Sequence, residues 1–139
     1  MGNFGLKVNR FYEIFVEQNG YVMVLEGLKN TLLIAVIGLI IGIAIGTLIA
    51  AIRTIPQYKV LPRVLNGICS VYVGIFRGTP MVVQLLVFYY VMLPLMGVKM
   101  TGVQVSMIVF GLNSAAYISE IMRSGIMSVD SGQMEAGRA

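Results

Sequence analysis

Residues 31 to 52 read TLLIAVIGLIIGIAIGTLIAAI, which is 22 consecutive positions without a charged side chain. A helix that crosses the hydrocarbon of a bilayer needs about 20 apolar residues, so this stretch predicts a membrane span over about residues 30–52. A secretory signal peptide is the competing interpretation, but the apolar run is too long for one and 30 residues precede it. The stretch therefore predicts an all-α membrane protein.

The composition of the whole chain leads to the same class. Of the 139 residues, 58% are hydrophobic and 12% are charged, whereas about a quarter of a soluble domain is charged. A small globule could not bury so much apolar surface, so a soluble enzyme is excluded, and disorder needs the opposite composition. Histidine is absent and Cys69 is the single cysteine, so the sequence predicts no metal site and no intrachain disulfide. The net charge of +4 is dispersed along the chain and does not predict nucleic-acid binding.

Two further uncharged stretches follow, at residues 78–98 and 100–119. They predict spans at about 80–95 and 101–121, and Pro94 is expected to end or kink the first of these. Between Arg63 and Arg77 lie 13 uncharged residues, 64–76, which are too few to cross a bilayer. This segment predicts an elbow helix that lies at the cytoplasmic membrane surface or under the bundle.

The segment 1–21 has a helical pattern of a different kind. Its apolar residues recur on one helical face at Val8, Phe11, Tyr12, Phe15 and Val16. This periodicity predicts an amphipathic helix in the membrane interface. Gly20 is expected to end that helix before the first span.

Basic residues predict the orientation of the spans. The loop after the first span is basic, with Arg53, Lys59 and Arg63. The tail after the third span is also basic, with Arg123 and Arg138, whereas the turn between spans two and three carries only Lys99. The positive-inside rule places the loop and residues 124–139 in the cytoplasm, and the N-terminus outside. Three basic residues before the first span count against this orientation.

A few side chains inside the spans have more than one interpretation. Gln84, Asn113 and Ser114 are polar, so they predict either a path for a hydrophilic solute or hydrogen bonds that hold helices together. Gly38, Gly42 and Gly46 form a flat ridge, which favours helix packing within the chain or against a second copy. Glu120 and Arg123 have the spacing of an ion pair at the membrane interface. The span cores contain no carboxylate, which argues against a proton-driven or sodium-driven carrier.

Three motifs resemble those of one family, the permeases of polar amino-acid ABC importers. Residues 76–85, FRGTPMVVQL, are similar to the family's FRGTPLLVQL signature, and residues 116–126, AYISEIMRSGI, resemble its AYxSEIxRxGI segment. Residues 128–136, SVDSGQMEA, match its SVxxGQxEA stretch. The motif positions carried over are Arg77, Gly78, Thr79, Pro80, Gln84, Glu120, Arg123 and Gly125. The resemblance covers about residues 22–139.

The resemblance implies a type I ABC permease helical bundle in the bacterial plasma membrane. It further implies a second permease subunit, identical or related, and separate cytoplasmic ATPase subunits that hydrolyse the ATP, so the chain itself is expected to be neither an enzyme nor a cofactor protein. An extracytoplasmic amino-acid-binding protein would deliver the cargo. The implied ATPase-coupling loop within 124–139 contains Gly132, Gln133, Glu135, Ala136 and Gly137. Since the family continues beyond this loop, we expect residues 22–139 to be an incomplete domain that is truncated inside the loop.

Two other functions remain open from the residues alone. The glycine ridge is compatible with a small structural or regulatory membrane protein, and the uncharged spans with a self-contained channel. Neither requires an ATPase, so binding of an ATPase through the tail distinguishes both from a permease.

Overall fold

A computed structural model describes residues 2–17, 19–130, 132, 133 and 137 of the chain. Within these residues the secondary structure is helical and no strand occurs, which confirms the all-α class. The helices are α1 (Gly2–Tyr12), α2 (Gly20–Thr54), α3 (Val60–Gly78), α4 (Met81–Leu95) and α5 (Gly102–Met127). A π-helical turn, Glu13–Glu17, follows α1, and a second, Phe88–Met92, lies within α4.

The long apolar helices differ from those predicted. By length and composition α2, α3 and α5 can each cross a membrane, whereas α4 is shorter. Residues 64–76 lie within α3, which has 19 residues because it continues past Arg63 and Arg77 at its two ends. The interpretation of this segment as an elbow helix stays a prediction. An arginine in a terminal turn can extend its guanidinium toward the headgroups, so the two charges do not limit the helix. The predicted span at 80–95 is the short helix α4.

By its contacts the chain divides into residues 1–33 and 34–139. In the first unit the aromatic rings of Phe11 and Phe15 stack with centroids 5.4 Å apart, and Phe15 meets Tyr21 edge-on at 6.4 Å. The chain turns at Asn19, whose φ is 56°. Gly20 begins α2 rather than ending the preceding helix, which corrects the prediction. A Cβ on Gly20 would lie 2.6 Å from the Ile14 carbonyl oxygen, so the close approach of backbone there requires glycine.

In the second unit α2 packs on α5 through the glycine ridge. Gly38, Gly42 and Gly46 are buried. The nearest groups of α5 belong, in the same order, to Phe110, Ser114 and Ala115. Because the contacts advance together along both helices, α2 and α5 run in the same direction and α3 and α4 form the return.

The ends of α4 and α5 follow from local sequence. Pro94 lacks an N–H and disturbs the preceding turn, and the π-helical turn ends just before it. The N–H of Gly97 donates to Pro94 and that of Val98 to Leu93, both at 3.1 Å, with Gly97 at φ 67°. This is the left-handed helix ending that glycine favours. The next helix, α5, begins with a capping box between Thr101 and Gln104.

The core of the second unit is small and lies where α2, α3 and α5 meet. Ile49, Val73 and Ala116 form a buried cluster there, and Ala50, Val105, Val109 and Ala115 are also buried. Most other apolar side chains are exposed, which suits helices that face lipid rather than water.

Candidate functional site

The first part of the candidate site is the break between α3 and α4, within the FRGTP motif. A helical carbonyl at Phe76 would accept a hydrogen bond from the N–H of residue 80, but residue 80 is proline and has no N–H. Thr79 and Pro80 are extended, and the chain leaves the helix there. In a bilayer the freed carbonyl groups must find other donors inside the protein.

The side chain of Gln84 supplies those donors. Its Nε2 lies 2.9 Å from the Phe76 carbonyl oxygen, 3.1 Å from that of Thr79 and 2.8 Å from Thr79 Oγ1. Gln84 is only 7% exposed. The Thr79 hydroxyl in turn donates to the Ile75 carbonyl at 2.8 Å. The spacing of Phe76, Pro80 and Gln84 thus produces a helix break in which side chains bind the carbonyls of Ile75, Phe76 and Thr79.

Asn113 on α5 completes the arrangement. Its Nδ2 donates to the Phe76 carbonyl at 3.2 Å and to Gln84 Oε1 at 3.1 Å. One turn away, the Tyr72 hydroxyl donates to the Leu112 carbonyl at 2.6 Å. These bonds fix the break against the middle of α5.

The three predicted path residues therefore do not form one polar surface. Gln84 and Asn113 are hydrogen-bonded to each other, whereas Ser114 faces Gly42 of α2. The geometry favours the interhelical hydrogen bond over a solute path for the two amides.

The second part of the site is a cluster of three arginines around one carboxylate, which we call the Glu120 cluster: Arg53, Arg77, Glu120 and Arg123. Arg53 at the end of α2 makes the closest contact and is the most buried arginine of the cluster. Arg77 lies 3.9 Å and Arg123 3.5 Å from the carboxylate oxygens of Glu120. The cluster thus joins the ends of α2 and α3 to α5.

Tyr117 holds Arg77 from a second side. The guanidinium carbon of Arg77 is 5.4 Å from the centre of the Tyr117 ring, which is within the range of a cation–π contact. Asn113, Tyr117 and Glu120 lie at helical spacings of four and three residues on one stripe of α5. That stripe contacts Phe76 and Arg77, the two residues that open the FRGTP motif.

Sequence reasoning missed two residues: Arg53 of the Glu120 cluster, and Gly111 in the contact between α2 and α5. Spacing identified Glu120 and Arg123 as a pair, but Arg53 is 67 positions away from Glu120 and no local pattern joins them. Gly111 was also missed, although a Cβ there would lie 2.6 Å from Ile41 Cγ2. The four-residue spacing of Gly111, Ala115 and Ser119 was the available signal for Gly111.

The remaining motif positions lie apart from these contacts. A Cβ at Gly78 or Gly125 would meet nothing within 4 Å. In the predicted coupling loop, the Gly132 N–H donates to Asp130 Oδ1 at 2.9 Å and the Gly137 N–H to the Gln133 carbonyl at 3.1 Å. Glu135 and Ala136 lie outside the described residues. Among the residues that are described, no group of three or more acidic or cysteine side chains could hold a metal ion.

Together the fold and these contacts define a multi-pass helical membrane protein with a helix break between α3 and α4. Residues 38–139 match the family described as the binding-protein-dependent transport system inner membrane component. This match covers most of the chain, and the chain belongs to that family. The resemblance seen in the three motifs is confirmed.

Individual relatives are transport permeases by name. GlnP of Rickettsia bellii, named for glutamine transport, is 40% identical over 85% of this chain and 52% of its own length. ArtQ of Bacillus subtilis, named for arginine transport, is 39% identical over 84% of this chain and 51% of its own. TcyB of the same organism, named for L-cystine transport, is 36% identical over 88% and 50%. The chain thus spans about half the length of the curated relatives it matches.

A solved structure shows the same fold. A chain of the crystal structure described as an amino acid ABC transporter with histidines superposes with a TM-score of 0.73 at 32% identity. The match covers 89% of this chain and 56% of that one.

Proposed function

We propose that this chain is part of the permease subunit of an ATP-driven importer of polar amino acids in the bacterial plasma membrane. The observation that carries the proposal is its kinship with relatives named for glutamine, arginine and cystine transport. The cargo of all three is polar. The chain's own motif residues occupy a helix break fixed against α5, so these residues position the helices of the bundle.

Energy for transport would come from partner subunits. Separate ATPase subunits would bind the tail that follows α5, a second permease subunit would complete the pathway, and an extracytoplasmic binding protein would deliver the amino acid. Movement of the tail would shift the bundle between its outward-facing and inward-facing states. The Glu120 cluster and the α3–α4 break are the contacts through which α5 would carry that movement to α4.

Changing Glu135 to lysine tests the coupling role. Glu135 occupies the glutamate of the family's coupling motif, and reversing its charge should remove ATPase binding while leaving insertion of the permease unaffected. The measurement is co-purification of the ATPase with the permease from membranes, together with the amount of permease in those membranes. Glu13→Lys is the matched control, because it makes the same change on an exposed residue of the N-terminal segment. If both variants retain the ATPase equally, Glu135 has no coupling role.

We also propose that the N-terminus lies outside and the tail in the cytoplasm. The basic loop after α2 supports this orientation. Because α2 and α5 run in the same direction, their last residues are expected on the same side of the membrane. Single cysteines at Tyr58 and Asp130, in a Cys69→Ser background, should resist an impermeant thiol reagent in intact cells and react after the cells are opened. Labelling of both in intact cells would reverse the orientation, and labelling of only one would contradict the parallel arrangement.

A further inference from the structure

The Glu120 cluster lies at the level of the lipid headgroups. The uncharged run of α2 ends immediately before Arg53, and that of α5 ends immediately before Glu120. At 1.5 Å per residue the 22 residues of the first run extend ~33 Å, about the thickness of the hydrocarbon. Because α2 and α5 run in the same direction and Arg53 contacts Glu120, both runs end at the same membrane surface.

The charges of the cluster do not balance. Among the described residues, Glu120 is the one acid within ion-pair distance of Arg53, Arg77 and Arg123. Two positive charges therefore remain without a counterion. Partly desolvated charges of one sign are costly unless an anion pairs with them.

The donors of these arginines do not all have strong partners. The Nε of Arg53 is buried and makes no hydrogen bond, and the buried Nε of Arg123 faces Glu120 Oε1 at 3.5 Å as an ion pair without hydrogen-bond geometry. Arg123 directs one terminal nitrogen at the sulfur of Met127, 3.1 Å away, which is a weak acceptor. The side chains of Arg77 and Arg123 are 43% and 31% exposed, so an anion can reach them, whereas Arg53 is nearly enclosed.

We propose that Arg77 and Arg123 form a binding site for the phosphate of an anionic phospholipid, with Arg53 and Glu120 holding the pair in place. The guanidinium fork matches two phosphate oxygens at once. The site lies at the depth of the headgroups, which favours a lipid phosphate as the ligand. Its two unbalanced positive charges favour an anionic lipid over a zwitterionic one, because a zwitterionic headgroup carries a positive charge of its own. Basic pockets between the ends of membrane helices bind anionic headgroups by this chemistry.

The test measures lipid binding directly, by native mass spectrometry of the full chain in detergent during titration with phosphatidylglycerol or phosphatidylcholine. The unchanged protein should bind phosphatidylglycerol more tightly. Arg77→Gln and Arg123→Gln should each weaken its binding about fivefold, which corresponds to about 1 kcal/mol per basic residue. The matched control is Arg63→Gln, which removes the same charge from an exposed position of α3 outside the cluster and should leave binding unchanged.

A second pair of variants covers the event that the glutamine variants do not fold. Arg77→Lys and Arg123→Lys keep the charge but lose the fork, and each should still weaken phosphatidylglycerol binding, whereas Arg63→Lys should not. Equal binding of the two lipids, or equal loss in the Arg63 control, would overturn the proposal. Competition by inorganic phosphate as strong as that by phosphatidylglycerol would also overturn it, because the site would then bind a free anion.

Discussion

Gly42→Ala should destabilise the bundle, although the same change at Gly27 of the same helix should not. A methyl group on Gly42 would lie 2.7 Å from Ser114 Cβ and 3.4 Å from the Ala115 nitrogen. Such overpacking costs about 1–3 kcal/mol, because α2 and α5 must move apart to relieve it. The expected result is a lower midpoint of thermal unfolding in detergent.

Gly27→Ala is the matched control, because it lies in the same helix and its new methyl group would meet nothing within 4 Å. Alanine is the better helix former by up to about 1 kcal/mol, so this variant should keep or raise the unfolding midpoint. If the two variants unfold at the same temperature, the close contact between α2 and α5 is not a feature of the folded protein.

Glu120→Gln should cost even more stability, on the order of 3 kcal/mol. The Arg53 side chain is 11% exposed and has Glu120 as its ion-pair partner. Without the carboxylate, three arginines would face one another where α2, α3 and α5 meet. The measurement is again the midpoint of thermal unfolding, read by the loss of helical circular dichroism.

The arginine variants provide the internal comparison. Arg77→Gln and Arg123→Gln should each cost less than Glu120→Gln, about 1 kcal/mol, because their side chains are more exposed than that of Arg53 and solvent screens their ion pairs. The double variant Arg53→Gln/Glu120→Gln should recover part of the stability lost in Glu120→Gln, since no unpaired arginine remains in the enclosed position. Additive losses in the double variant would show that Arg53 and Glu120 are not coupled.

The sequence predicted the features that depend on neighbours along the chain. The uncharged runs located α2 and α5, and the four-residue spacing of Gly38, Gly42 and Gly46 identified a packing surface. Pro94 was expected to end or kink the second predicted span, and the helix that contains it ends one residue later, at Leu95. In each of these elements the physical cause lies within one or two helical turns.

Features that depend on distant pairing were not predictable in the same way. The length of α3 was underestimated because charges were taken as limits, although arginines at helix ends can extend out of the hydrocarbon. Gln84 and Asn113 had two open interpretations, because a polar residue in a span does not indicate its partner. Their common acceptor, the Phe76 carbonyl, is identified only when the break at Pro80 and the position of α5 are both known.

The contact between Arg53 and Glu120 also depends on pairing between distant parts of the chain. Each residue lies at the end of an uncharged run, so each alone is compatible with an interfacial charge. The parallel packing of α2 and α5 brings them together, and that packing depends on small residues of both helices. The sequence pattern predicts the glycine ridge on α2, but it does not predict which residues of α5 pack against that ridge.

Uptake into vesicles tests most directly the proposal that this chain works in an ATP-driven amino-acid importer. The permease that contains this chain would be reconstituted with its ATPase and its binding protein, with ATP supplied on the ATPase side. Labelled glutamine, arginine and cystine would be offered on the other side. We expect ATP-dependent accumulation of at least one of them, abolished by Glu135→Lys. Accumulation of none of the three, or entry that proceeds equally without ATP, would contradict the account.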